Sequence, residues 1–152
     1  MLLKIAGIIS GKNKVNKEKL ARYDRMYLDV CKRVSKMSFA KRAKVGAILV
    51  KDDNIISMGW NGTPSSFPND CEINVDEHDP SALLTKEEVL HAESNCISKV
   101  AKSNQSSLGA TMYITISPCM DCSKLIVQSG ISRVVYENFY RDQKSLDFLY
   151  KC

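Results

Sequence analysis

The sequence predicts an α/β fold in which helices cover both faces of a central mixed sheet of four to five strands, giving three α/β/α layers. Segments with helical periodicity alternate with short apolar runs that are typical of strands. The last of them follow the order strand, helix, strand, which requires a crossover and therefore a parallel pair. The length of 152 residues suits a single domain spanning residues 1–152.

The first half of the chain predicts a helix, a hairpin and a long loop. Apolar residues recur at helical spacing between positions 20 and 34, so an amphipathic helix is expected at about 17–37. The apolar runs 45–50 and 55–60 are typical of strands, and the polar residues between them predict a hairpin turn. Residues 61–86 contain three of the four prolines and are expected to form a loop, which at this length is often functional.

The second half of the chain predicts alternating helices and strands. Gly130 suits the end of a helix, where a left-handed residue is common. The expected elements are a helix at about 91–103, a strand at 111–116, a helix at 119–129, a strand at 131–136 and a short helix at 143–150.

The N-terminal residues 1–10 are apolar but too short to span a membrane. Lys4 lies inside the apolar run, whereas a signal peptide carries its basic residues ahead of that run. We therefore expect a terminal element packed on the domain, no membrane association, and a cytoplasmic protein, or one of the host cytoplasm if its source is viral.

The net charge of +5 is concentrated near the start, where 13 of the 22 basic residues fall within the first 44 positions. Such a region could attract the phosphates of a nucleotide or of a nucleic acid, although a solvated helix face is the simpler interpretation. One Trp and four Phe are a poor supply for stacking bases. A nucleic-acid partner is therefore not expected.

Two short clusters carry the chemistry, His91-Ala-Glu93 and Pro118-Cys-Met-Asp-Cys122. A His-x-Glu followed by Pro-Cys-x-x-Cys is the known signature of zinc deaminases. Cys119 and Cys122 lie three residues apart at a helix start, so their sulfurs share one face and the helix N-terminus favours the thiolate that binds zinc. His91, at the start of the other helix, supplies a third ligand.

Three protein ligands leave the fourth tetrahedral position to water, as in a catalytic zinc site. Zinc can bring the pKa of that water to about 7. Glu93 follows His91 by two residues, so its side chain points elsewhere than the ligand but stays near the metal. We expect Glu93 to pass protons from the water to the ring nitrogen and the departing ammonia.

A structural zinc site is the main alternative to the catalytic one. Such a site usually has four protein ligands, and Cys71 could be the fourth. A redox pair formed by Cys119 and Cys122 would leave His91 and Glu93 without a role. The two clusters together favour the catalytic site.

The chain resembles the cytidine/deoxycytidylate deaminase superfamily, and within it the deoxycytidylate deaminase family, over about residues 18–137. The resemblance implies a five-stranded sheet with helices on both faces, and hydrolysis of dCMP to dUMP and ammonia, which supplies the precursor of thymidylate. The motifs that carry it are Val45-Gly-Ala-Ile-Leu-Val-Lys51, Ile55-Ile-Ser-Met-Gly-Trp-Asn-Gly-Thr-Pro64, His91-Ala-Glu93 and Ser117-Pro-Cys-Met-Asp-Cys122.

Two features favour this family over the tRNA-type adenosine deaminases. About thirty residues separate Asn61 from His91, whereas those enzymes have a short connection there. They also typically carry methionine directly before the second cysteine, where this chain has Asp121.

The resemblance further implies contacts with the base. Gly46 and Ala47 would form the strand that approaches the pyrimidine, where a missing side chain makes room. Ala92 would offer its backbone amide to the base carbonyl. Ser117 would present its backbone carbonyl to the reacting amino group.

The resemblance also implies contacts with the rest of the nucleotide. Asn61 would contact the nucleotide, and the Asn61-Gly62 turn would line the pocket, although the same dipeptide is also typical of an ordinary turn. Arg42 and Lys44 precede the first strand, near the place where this family holds the phosphate, and are the expected phosphate ligands.

The family is commonly hexameric, activated by dCTP and inhibited by dTTP. The resemblance therefore implies a homo-oligomer, a hexamer by analogy, and makes dCTP and dTTP candidate effectors, although their regulation transfers only with the residues that contact them. The acidic loop 70–88 is the first place to look for effector contacts. Many relatives hold a second zinc, but Cys71 and His78 have no nearby companions, so we expect one Zn²⁺ per chain. The chain ends soon after its fourth strand motif, which leaves the fifth strand open.

Other functions stay open at this point. The same chemistry could act on dCTP, free cytidine or a polynucleotide cytosine. A non-catalytic, zinc-stabilised nucleotide-binding subunit is a different class, and the intact Glu93 argues against it.

Overall fold

The computed structural model describes residues 4–6, 17–140 and 143–152, and residues 4–6 as backbone only. Its helices are α1 (Lys17–Ser35), α2 (Ala92–Ala101), α3 (Met120–Gln128) and α4 (Gln143–Lys151). Its strands are β1 (Lys4–Ala6), β2 (Gly46–Lys51), β3 (Asn54–Trp60), β4 (Glu72–Asn74), β5 (Leu83–Thr85), β6 (Thr111–Ile116) and β7 (Arg133–Asn138).

Five of the strands form one mixed sheet in the order β1-β7-β6-β2-β3. The hairpin of β2 and β3 is antiparallel, β2 also pairs antiparallel with β6, and β6 pairs parallel with β7, as the strand–helix–strand order predicts. The fifth strand, left open by the sequence, is β1, which pairs antiparallel with the edge of β7. It comes from the N-terminal segment and not from chain beyond β7.

Successive residues of β2 point to opposite faces of the sheet. Ala47 and Leu49 face a core shared with α2 and α3, while Ile48 and Val50 face α1. Ile48 and Leu49 have no exposed surface, and burying each such side chain contributes about 1.5–3 kcal/mol. Helices therefore cover both faces, and the predicted three-layer α/β/α arrangement is confirmed.

Two glycines allow the helices to approach the sheet closely. A Cβ atom at Gly46 would lie 2.3 Å from the carbonyl oxygen of Cys31 in α1. A Cβ atom at Gly59 would lie 2.5 Å from backbone atoms of Ala92 and Cys96 in α2. The room made by Gly46 is thus filled by α1 and not by a pyrimidine, which corrects the reason expected for this glycine.

The prediction of an unbroken loop at 61–86 is wrong, because a small antiparallel hairpin lies within it. Glu72 of β4 pairs with Thr85 of β5, and Asn74 pairs with Leu83. Asn74 accepts a hydrogen bond from the backbone of Asp76, which shapes the polar turn between the strands. Three-residue strands set among polar residues leave no periodic signal in the sequence.

The remaining element boundaries are close to those predicted. The last strand begins two residues later than expected, because the backbone amides of Ile131 and Ser132 bond to Ile126 and Ala110 in the turn before β7. Within the described ranges, no helix is both long and apolar enough to cross a membrane.

Candidate active site

Three potential metal ligands meet where two helices begin. His91 is the N-cap residue of α2 and Cys119 is the N-cap residue of α3, with Cys122 in the first turn of α3. The Nδ1 atom of His91 lies 3.3 Å from Sγ of Cys122 and 3.5 Å from Sγ of Cys119. All three donor atoms lie within 4.8 Å of one another.

These separations fit zinc. Tetrahedral zinc with Zn–S and Zn–N bonds of about 2.3 and 2.0 Å would place the sulfur and nitrogen ligands about 3.5 Å apart. Two thiolates and an imidazole are also donors that zinc prefers. In the part of the chain that the structure describes, this group has no fourth His, Cys, Asp or Glu donor. Cys71 does not belong to it, so the predicted alternative of a four-ligand structural site is not supported.

The two cysteines differ in acidity. Hydrogen bonds from Cys122 and His91 lower the pKa of the Cys119 thiol to about 4. The bond to Cys119 in turn raises the pKa of Cys122, and burial adds to that effect. The bond to Cys119 also raises the pKa of His91. Of the two thiols, that of Cys119 is therefore the more acidic and the more readily converted to the thiolate that binds zinc.

Glu93 lies in the first turn of α2 beside the metal ligands, and its side chain is buried. Burial raises the pKa of its carboxyl group, whereas a bond to its own backbone and the charge of His91 act in the opposite direction. A raised pKa makes a carboxylate a better proton acceptor than an exposed one, which suits a group that takes up a proton and passes it on.

A cavity of about 270 Å³ opens onto these groups. Seven of the sequence-predicted residues line it: Arg42, Asn61, His91, Ala92, Glu93, Ser117 and Cys119. The other lining residues are Ala43, Val45, Glu72, Thr85, Val89, Ile116 and Tyr140.

Asn61 and Gly62 hold two sides of the cavity together. Oδ1 of Asn61 accepts a hydrogen bond from the backbone of Val45 at 2.8 Å, and Nδ2 donates one to the carbonyl of Ala43 at 2.9 Å. Gly62 forms a two-way backbone bridge with Leu90, the residue before His91. This pair therefore does more than make a turn, because it fixes the cavity wall and the position of a metal ligand.

Ala92 and Ser117 lie where the resemblance places them, at the cavity wall. Ala92 is the first residue of α2, where backbone amides have no partner within the helix. Ser117 is buried, and its hydroxyl accepts a hydrogen bond from the backbone of Tyr140 at 2.7 Å. Ala47 lies within β2, is fully buried and is not among the lining residues.

The two expected phosphate ligands differ in position. Arg42 lines the cavity, and its Nη1 donates to Oγ1 of Thr85 at 3.0 Å. Lys44 is exposed and does not line the cavity.

Sequence reasoning missed Glu72, Thr85, Val89 and Tyr140 as cavity residues. The first three lie in or just after the segment predicted as a loop, and Tyr140 follows β7. Their approach to the cavity depends on the β4–β5 hairpin and on the path after β7, for which the sequence carries no local signal.

Comparison with known proteins agrees with this geometry. The family model "Cytidine and deoxycytidylate deaminase zinc-binding region" matches residues 21–138. The deoxycytidylate deaminase of Enterobacteria phage T4 is 34% identical over 151 aligned positions, covering 77% of this chain and 78% of the phage protein. That of Mycobacterium phage D29 is 34% identical over 121 positions, covering 75% of this chain and 93% of the phage protein.

A solved structure is also similar. The dCMP deaminase of cyanophage S-TIM5, crystallised with dCMP and dUMP, is 41% identical with a TM-score of 0.77, and the match covers 91% of this chain and 94% of that one. A motif-bearing zinc site, the layered fold and relatives above 30% identity thus agree, and this chain belongs to the cytidine and deoxycytidylate deaminase family of zinc-dependent hydrolytic enzymes.

Proposed function

We propose that this protein hydrolyses dCMP to dUMP and ammonia. The observation that carries the proposal is the buried carboxyl of Glu93, which faces the same cavity as His91 and Cys119. A zinc that only stabilised the fold would need no acid or base beside it. The relatives named deoxycytidylate deaminase and the S-TIM5 complex with dCMP and dUMP support this substrate.

His91, Cys119 and Cys122 would hold the zinc. When bound, zinc acts as a Lewis acid that makes water acidic enough to attack as hydroxide near neutral pH. Glu93 takes a proton from the attacking water and delivers it to N3 of the cytosine ring. It then takes the remaining proton of the new C4 hydroxyl group and transfers it to the amino group, so that the C4–N bond breaks, ammonia leaves and the C4–O bond becomes the carbonyl of dUMP.

The cavity wall would orient the base for this transfer. The backbone amide of Ala92 donates to the base carbonyl, and the backbone carbonyl of Ser117 accepts from the reacting amino group. Asn61 keeps the wall at Ala43 and Val45 in place, and its second Nδ2 hydrogen would donate to the nucleotide.

Arg42 is the better-placed phosphate ligand, because it lines the cavity and carries a guanidinium group suited to bidentate phosphate binding. That Lys44 also contributes to phosphate binding stays a prediction, and from its exposed position it would act through the attraction between its charge and the phosphate. Hexamer formation and regulation by dCTP and dTTP likewise stay predictions that come from the family resemblance.

An ammonia-release assay on the zinc-loaded protein tests the proposal, using dCMP, dCTP, deoxycytidine and a cytosine-containing oligonucleotide. We expect kcat/KM for dCMP to exceed that for the other three. Faster turnover of the oligonucleotide or of deoxycytidine would contradict the choice of substrate.

The role of Glu93 is tested by Glu93→Gln, which should lower kcat about 10²- to 10⁴-fold while zinc content stays unchanged. The matched control is Glu88→Gln, since Glu88 is an exposed carboxylate just ahead of α2. It should retain wild-type kcat. Full activity in the Glu93 variant would contradict the assigned proton transfer.

A further inference from the structure

Asn61 and Gly62 form the only Asn-Gly pair in the sequence. An asparagine followed by glycine is especially prone to deamidation, because glycine has no side chain to hinder ring closure and turns its backbone at little cost. The pair lies in the cavity wall, yet the catalytic roles assigned above make no use of this reactivity.

Deamidation at this pair proceeds through a cyclic imide. The backbone nitrogen of Gly62 loses its proton and attacks Cγ of Asn61, so that a new N–Cγ bond forms. The Cγ–Nδ2 bond breaks, and Nδ2 takes up a proton and leaves as ammonia. Water then opens the ring at either carbonyl, which gives aspartate or isoaspartate. Asn61 is partly exposed and lines the cavity, so water reaches this position.

Two hydrogen bonds hold the peptide group between Asn61 and Gly62 in the folded protein. Its N–H donates to the carbonyl of Leu90 at 3.1 Å, and its carbonyl oxygen accepts from Oγ of Ser38 at 2.7 Å. Ser38 is itself buried. The nitrogen cannot lose its proton and turn toward Cγ until these bonds open.

The side chain of Asn61 is held as well, by its bonds to the backbone of Val45 and Ala43. Rotation of Cγ toward the nitrogen of Gly62 breaks both of them. The reaction is therefore confined to molecules in which this part of the wall has opened, and its rate follows the population of that open state.

We propose that Asn61 is a deamidation site controlled by the hydrogen bonds that Leu90 and Ser38 make to the Asn61–Gly62 peptide group. In an aspartate product, a carboxylate oxygen would face the carbonyl of Ala43 in place of the Nδ2 donor. In an isoaspartate product, the lengthened backbone would displace the bridge to Leu90. Loss of deaminase activity in the product rests on the proposed function, whereas the modification itself does not.

The test follows Asn61 in the full chain by peptide mass spectrometry, with isoaspartate quantified separately, in buffer and in denaturing urea. We expect the folded protein to react at least about 10-fold more slowly, since several hydrogen bonds must open together. Hydrogen exchange at the Gly62 amide measures the opening independently, and deamidation should be slowed at least as much as this exchange. Folded and unfolded rates within about twofold of each other would overturn the proposal.

Ser38→Ala removes the bond to the carbonyl of Asn61. We expect deamidation of Asn61 and exchange of the Gly62 amide to rise together by about 2- to 10-fold, the change for one hydrogen bond. Ser65→Ala changes an exposed serine that closely follows the pair, and should keep both rates. An unchanged rate in Ser38→Ala would contradict the control by this bond. If that variant does not fold, the comparison of folded and unfolded wild-type protein still decides.

Gly62→Ala tests the route through the imide. In urea it should slow the reaction at Asn61, because the added methyl group hinders ring closure. An equal rate, or aspartate formed without isoaspartate, would show direct hydrolysis of the side chain and overturn the proposal.

The modified chains carry an added negative charge and can be separated by ion exchange. They should have lost dCMP turnover, and full turnover in them would contradict the predicted damage to the wall. Deamidation that follows the expected pattern in a protein that never turned over dCMP would refute the proposed function and keep this inference. Turnover of dCMP with no isoaspartate at Asn61 in the unfolded chain would refute this inference alone.

Discussion

Arg133 and Asp24 form a bidentate ion pair that joins β7 to α1 across one face of the sheet. Nη1 of Arg133 lies 2.8 Å from Oδ1 of Asp24, and Nη2 lies 2.6 Å from Oδ2. Tyr113 of β6 donates its hydroxyl to the same Oδ1 at 2.8 Å. Asp24 is almost fully buried, so its charge depends on these partners.

Removing one partner should therefore be strongly destabilising. We expect Asp24→Ala to lower the free energy of unfolding by about 3–5 kcal/mol, because it leaves the guanidinium of Arg133 without its counter-charge. Urea unfolding monitored by circular dichroism measures this. Asp29→Ala is the control on the same helix, since Asp29 pairs with Lys32 at the surface and should change stability by less than about 1 kcal/mol. Equal effects of the two substitutions would contradict this interpretation.

The same cluster predicts a response to alkaline pH. Burial and the hydrogen bond to Asp24 raise the pKa of the Tyr113 hydroxyl. The folded protein therefore holds this proton more tightly than the unfolded chain, whose tyrosines ionise near pH 10. The contribution to stability is complete below about pH 10 and declines as pH rises above it.

Tyr113→Phe should consequently show a smaller decline in the free energy of unfolding between pH 9 and pH 11 than the wild type. Denaturant titrations at the two pH values measure the decline. Tyr150→Phe changes an exposed position of α4 and serves as the control. Its free energy of unfolding should decline between these pH values by as much as that of the wild type. A wild-type decline in the Tyr113 variant would show that this hydroxyl does not contribute.

Loss of one metal ligand should remove zinc. We expect the zinc content to fall from about one ion per chain in the wild type to a small fraction of that in Cys119→Ser, because the remaining His and Cys ligands hold zinc weakly. Deaminase activity should be lost with the metal. Plasma mass spectrometry measures the metal content. Cys152→Ser changes an exposed cysteine outside the metal-ligand group and should retain the metal. Retention of zinc in the Cys119 variant would contradict the ligand assignment.

Substitution of Gly46 distinguishes its structural role from a role in substrate binding. Gly46→Ala places a methyl group 2.3 Å from the carbonyl of Cys31, so we expect a loss of about 1–3 kcal/mol in the free energy of unfolding. In Gly62→Ala the nearest atom is 3.9 Å away, so its stability should stay within about 0.5 kcal/mol of the wild type. Normal stability combined with a raised KM in the Gly46 variant would return this glycine to the pyrimidine pocket.

The metal ligands and the main helices and strands could be predicted from the sequence because their signals are local. His91, Cys119 and Cys122 have fixed spacings at helix starts, and the helical and strand segments have clear periods. The sequence singled out Gly46 as a position where a side chain is excluded. That the backbone of α1 is what excludes it is set by tertiary packing, which no local pattern reveals.

Glu72 was missed for a related reason. It lies in a three-residue strand whose pairing with Thr85 joins residues thirteen positions apart through a polar turn. Its burial and its bonds to Lys41 and Arg42 are set by tertiary contacts. The sequence could place it only in an acidic loop of unspecified purpose.

The bridge between Gly62 and Leu90 pins both ends of the excursion formed by residues 63–89. Insertions or deletions within residues 63–89 would leave the hydrogen bonds between Gly62 and Leu90 intact. His91, which directly follows Leu90, would therefore keep its position. Glu72 and Thr85 belong to the excursion, whereas the metal ligands and Glu93 lie outside it. Sequence changes in this segment can therefore alter the part of the cavity wall that it supplies without moving the metal ligands or Glu93.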